Sequence, residues 1–180
     1  FNASTMGYFT QAKKIEDATA MSLTSVVEQV TYPILAKEQN DKLKMRNTLK
    51  RFNSSLLFLI APFMLIICSF ADSIIAKLFG VKWLPAAEYL KILSIHGIAV
   101  SLQGVNYNAI AAIGKSKVLF SSTIIKRFVS LLLMIIGVYL FDIKGLLWGM
   151  TISSYFIISY NICLVSKYFD YSVWTQLKEI

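Results

Sequence analysis

Four apolar runs, at about 54–76, 86–112, 118–140 and 146–166, constrain this chain more than any other feature in it. Each reaches the roughly 20 residues that an α-helix needs to cross the hydrocarbon of a bilayer. A water-soluble domain of this length would have to bury all four in one core, with too few polar residues to cover them. Charged residues make up only 16% of the chain, against roughly 25% in soluble domains. Mean hydropathy is correspondingly high, at +0.60. The runs predict an all-α, polytopic transmembrane helix bundle and argue against a soluble enzyme.

Loop markers divide the runs. Pro85 opens the second and Gly114 closes it, while Asp142 and Gly145 separate the third from the fourth. Pro62 lies inside the first, where the lost backbone donor predicts a kink. A fifth segment, about 5–36, reads as one long helix with two unlike sides. Thr10, Gln11, Lys14, Asp17, Met21, Ser25, Glu28, Gln29 and Tyr32 fall on one; Phe9, Ala12, Leu23, Val26, Val27, Val30 and Ile34 fall on the other. Such a helix fits the membrane surface, and it fits a span whose polar stripe faces a water-filled cavity. Periodicity does not choose between them. About five helices are therefore expected.

The net charge of +8 is concentrated between the runs rather than interleaved with aromatics on a polar surface, which argues against nucleic acid. Residues 37–53 read as a basic loop carrying Lys37, Lys42, Lys44, Arg46, Lys50 and Arg51, and the positive-inside rule places that loop in the cytoplasm. Alternation then puts Lys115, Lys117 and the tail from Lys167 on the same side, and the turns near Gly80 and Asp142 outside. Cys68 and Cys163 lie within apolar runs and read as buried, unreactive thiols. No metal-ligand cluster, cofactor motif or nucleophile–base arrangement is present, so no enzyme is expected. The chain opens at Phe1 without a signal-peptide pattern and reads as an excerpt of a longer protein.

Charges inside spans are costly and mark candidate sites. Lys126 and Arg127 lie well inside 118–140, with Thr123 and Ser130 on their side of the helix. They read as the cationic wall of a cavity for an anionic substrate, or as side chains snorkelling to the headgroups. In the first helix, Lys13 and Lys14 are spaced to pair with Glu16 and Asp17. Glu28 has no such neighbour, and with Asp17 it is a candidate for coupling to H+ or Na+. The single histidine, His96, reads as a hydrogen-bonded packing residue in preference to a proton relay. Gly97, Ser101, Gly104 and Asn108 form a small-residue stripe suited to close helix contact.

Met6-Gly7-Tyr8-Phe9-Thr10-Gln11-Ala12 resembles the "GYYxxA" opening of the eighth helix of Wzx-type polysaccharide flippases, in the multidrug/oligosaccharidyl-lipid/polysaccharide exporter superfamily. Tyr32-Pro33-Ile34-Leu35-Ala36 is similar to that helix's "FPxLS" end. Leu78 to Ala87 resembles the "LxGxxWxPAA" turn, and Leu90-Lys91-Ile92-Leu93 the "LxIL" after it. Phe9 and Ala36 depart from the pattern, and residues 118–180 match in hydropathy and turn spacing only. The resemblance implies part of a carboxy-terminal lobe, helices eight to twelve of fourteen, with the rest of the parent protein missing. It favours a crossing first helix.

The implied activity is flipping of an undecaprenyl-diphosphate-linked oligosaccharide across the bacterial cytoplasmic membrane, for O-antigen, capsule or exopolysaccharide synthesis. Lys14, Lys126 and Arg127 would then bind the diphosphate and acidic sugars. Expected partners are the lipid-linked oligosaccharide, membrane lipids and a polysaccharide polymerase. The alternatives are a cation-coupled multidrug exporter, which would depend more on Glu28 or Asp17, and a membrane glycan polymerase, disfavoured by the short outer turns.

Overall fold

The computed structural model describes residues 2–169 together with Tyr171, Trp174 and Gln176, and leaves the side chain of Leu23 undescribed. Most of the tail after Lys167 thus lies outside the described residues. The described chain is helical throughout, without strands: α1 (Ala3–Lys37), α2 (Lys42–Ser69), α3 (Ala71–Phe79), a 3-10 turn (Val81–Trp83), α4 (Pro85–Ala112) and α5 (Ser116–Phe169).

The boundaries of α1 and α4 follow the sequence closely. The basic stretch 37–53 does not, for it is helical from Lys42 onward. Lys, Leu, Met and Arg are good helix formers, and the Asp41 carboxylate caps the helix by accepting from the backbone N–H groups of Leu43 and Lys44 at 3.1 and 3.0 Å. Those bonds, that from Lys44 foremost, hold the Asp41 carboxyl below its ordinary range. The run 54–76 is likewise not one helix: α2 continues through Pro62, and the chain breaks at Phe70 before α3.

α5 is a hairpin. Phe141 and Asp142 leave helical geometry, and Asp142 takes φ +53° with ψ −135°, a positive-φ conformation that favours glycine. The two arms, 116–140 and 143–169, meet backbone to backbone. A Cβ on Gly137 would come 2.1 Å from the Gly145 carbonyl oxygen, and one on Gly149 would come 2.6 Å from that of Leu133.

α4 is the central helix, packed against α1, α2 and α5 and buried along more than half its length. Contacts along the α1 seam advance together on both helices, from Glu16–His96 to Glu28–Asn108, so the two run parallel. α2 runs opposite to α4, with Met64 against Gly97 and Asn53 bonded to Asn106. This arrangement brings Lys37, Lys42, Lys117 and Lys167 to one end of the bundle, the basic end.

The buried stripe of α1 is neither side that periodicity suggested. Ala12, Glu16, Ala20, Thr24, Thr31 and Leu35 face inward, whereas Val26 and Val30 are exposed. Helices in lipid pack through small residues and can leave large apolar ones outside. Elsewhere the outer surface carries Phe58, Phe128, Ile135 and Tyr139, the last 89% exposed, an apolar cover that water would not tolerate. Among the described residues α2 and α5 are each long and apolar enough to cross a membrane, and α5 is long enough to do so twice. Cys163 is exposed on this surface rather than buried, and Cys68 is half-buried.

Candidate functional site

A cavity of about 460 Å³ opens between α1, α4 and both arms of α5. The first arm of α5 contributes Thr123, Lys126, Arg127 and Ser130; the second contributes Ile157 and Asn161. α4 adds Gln103, Gly104 and Tyr107, and α1 adds Glu28. Glu28, Gln103, Lys126 and Asn161 each stand about 12–15 Å from the basic end of their own helix, at 1.5 Å per residue. The polar groups therefore form a layer inside the bundle, away from either end.

Lys126 is turned inward. It is 8% exposed, its Nζ donates to Asn161 Oδ1 at 2.5 Å and lies 5.4 Å from the Tyr160 ring centroid. A lysine head so held is solvated by an amide oxygen and a ring face, neither of which carries a counter-charge, and it is placed to meet an incoming anion. Arg127 is exposed on the cavity side of the same turn and offers a planar fork of donors suited to phosphate. Ser130 completes the polar lining by donating to Ser153 Oγ at 3.2 Å.

Glu28 is half-buried, with its carboxylate where a Cβ on Gly104 would otherwise sit, 1.3 Å from Oε1. Only glycine at 104 lets the carboxylate reach the cavity there. The Asn108 amide fixes this stretch of α1 by donating to the Glu28 carbonyl oxygen at 3.2 Å.

The structure thus brings together Lys126, Arg127 and Glu28. Lys14 and Asp17 are not part of this group: they lie about 20 Å and 16 Å from Glu28 along α1 at the helical rise. Lys14 is exposed. Asp17 pairs with Lys13 at 2.9 Å, one of the contacts its spacing foretold. Lys13 also pairs with Glu16 at 2.8 Å, and the other Glu16 oxygen lies 2.6 Å from His96 Nδ1. Sequence reasoning missed that last contact, and it missed Asn161, whose only signal was an amide in an apolar run. Among the described residues no group of His, Cys, Asp and Glu side chains could hold a metal ion.

The stretches around Tyr8, Trp83 and Leu90 that carried the resemblance pack together at the far end of the bundle, whereas Tyr32–Ala36 lies at the basic end. Tyr8 meets Trp83 edge to face at 5.7 Å, Phe79 lies 6.3 Å from the same ring, and Ala12, Ala86 and Ala87 are fully buried. Their role is to seat α1 on the turn before α4.

The chain is an all-α membrane protein enclosing a cationic, partly polar cavity. Residues 1–88 match the model of a family described as polysaccharide biosynthesis protein. It is also 27% identical over 118 residues to the teichuronic acid biosynthesis protein TuaB of Bacillus subtilis (strain 168), an alignment covering 66% of this chain. The chain spans about a quarter of the length of that relative, 24%. No solved structure matches the chain.

Proposed function

We propose that the protein of which this chain forms part flips an undecaprenyl-diphosphate-linked oligosaccharide across the bacterial cytoplasmic membrane, crossing it several times. The observation that carries this reading is the cavity holding Lys126 and Arg127 in a chain whose residues 1–88 match a polysaccharide biosynthesis family. A diphosphate is a compact anion whose transfer through a low-dielectric interior needs paired cations and charge-assisted hydrogen bonds. Lys126 supplies a point charge and Arg127 a bidentate fork, while Thr123, Ser130 and Asn161 offer polar groups to sugar hydroxyls. The lipid tail stays in the bilayer beside the apolar outer face. The protein acts as a carrier, with no bond made or broken, and hands its cargo to a polysaccharide polymerase.

A cation-coupled exporter is the second reading, and the presence of Glu28 on the same cavity favours it. Asp17 lies away from the cavity in an ion pair, so that reading rests on Glu28. The two readings separate in a cell depleted of its own flippase and supplied with the full-length protein. Lys126→Gln with Arg127→Gln, at normal membrane levels, is expected to reduce surface glycan at least tenfold. Unchanged glycan would refute the cationic site. Failure of the unmutated protein to restore glycan, with lowered drug accumulation, would favour the exporter.

A further inference from the structure

On the α1–α4 seam, outside the cavity, lies a second polar cluster that the transport reading leaves unused. Glu16 is 1% exposed and His96 6%, and Nδ1 of the imidazole stands 2.6 Å from Glu16 Oε1. Lys13 donates to the other carboxylate oxygen at 2.8 Å and pairs with Asp17 at 2.9 Å. We propose that the Glu16–His96 pair is a proton-binding site of this protein.

Three observations support it. With Lys13 donating to Oε2, the other carboxylate oxygen is placed as an acceptor, so Nδ1 carries the hydrogen and donates to Oε1, leaving the second ring nitrogen to take up a proton. Lys13, Glu16 and Asp17 together carry one net negative charge while the imidazole is neutral, and one added proton balances the cluster. Finally, both Glu16 oxygens are already engaged, by a ring nitrogen and by a cation. A metal cation at the carboxylate would stand beside the Lys13 ammonium and be repelled by it, whereas a proton on the second ring nitrogen displaces nothing.

α2 presents the Met64 thioether to Gly97, beside His96. Lys91, more than one turn before His96 on α4, pairs with Asp72 of α3 at 2.6 Å. Tyr155 on α5 donates to the Ile95 carbonyl at 3.4 Å. The pair shares its seam with Glu28 and Gly104, so proton uptake changes the charge of the contact that also holds the cavity's acid.

The test is a histidine titration of the full-length protein in lipid nanodiscs. Carbonyl-13C isoleucine combined with 13C,15N-histidine selects the Ile95–His96 pair without mutation, and the ring nitrogen shifts are then followed from pH 5 to 8. The expected result is uptake of one proton by His96 across this range, with a midpoint unaffected by exchanging potassium for sodium. Glu16→Gln is expected to weaken proton binding at least about tenfold, the effect of removing an adjacent carboxylate. A ring that stays neutral down to pH 5 would overturn the proposal in the unmutated protein alone. So would a midpoint that moves with sodium, or one that Glu16→Gln leaves in place. None of these readouts depends on what the cavity carries.

Discussion

Single residues decide what the cavity can hold, and Gly104 is the clearest case. An alanine there would place its Cβ 1.3 Å from Glu28 Oε1, and the group in the way is the free end of a flexible side chain. Gly104→Ala is therefore expected to swing Glu28 off the cavity while costing about 1 kcal/mol or less in stability. Thermal unfolding and transport measured on the same preparation would separate the two effects. Lys126 and Arg127 stood out in the sequence because a charge in an apolar run demands an explanation, and Glu28 because no cation in its helix is spaced to pair with it. Asn161 was not, since an amide is a much weaker signal. The Glu16–His96 contact joins residues 80 positions apart, a distance that no periodicity spans.

At the scale of elements, two changes of similar size should behave oppositely to each other. Gly137→Ala would drive a Cβ into the Gly145 carbonyl, which is backbone and cannot turn aside. The α5 hairpin must splay, at a cost of at least about 1–3 kcal/mol, read as a lower melting temperature in detergent. Asp41→Asn should leave the start of α2 intact, because asparagine also caps, whereas Asp41→Ala should lower the melting temperature. The carboxyl of Asp41 is held below its ordinary range by bonds it makes only when folded. Its contribution is thus complete above the unfolded value, near pH 4, and fades as pH falls through the lowered folded value. Urea denaturation between pH 6 and pH 3, run on the unmutated protein and on Asp41→Asn side by side, would show this fading in the first and not in the second. The limits of α4 and the α5 turn were readable because Pro85, Gly114 and Asp142 mark them. The break at Phe70 carries neither glycine nor proline, and the Lys- and Arg-rich start of α2 resembled a loop because its charge hid its helix propensity.

For the whole molecule, the parallel course of α1 and α4 and the α5 hairpin bring Lys37, Lys42, Lys117 and Lys167 to one end, which the positive-inside rule predicts to be cytoplasmic. In a cysteine-free full-length protein, an impermeant maleimide should label Phe141→Cys from outside intact cells, and Lys117→Cys only after permeabilisation. The reverse pattern would invert the topology. The central position of α4 also bears on how the chain is made. Glu16 leaves the ribosome 80 residues before His96. At roughly 5–20 residues per second, that is on the order of 4 to 16 seconds. Through that interval α1 must keep a carboxylate near hydrocarbon with only Lys13 to answer it, and α2 emerges without supplying a substitute. Slower translation over residues 17–96 is therefore expected to lower the share of this protein that reaches its native state, and Glu16→Gln to remove that dependence.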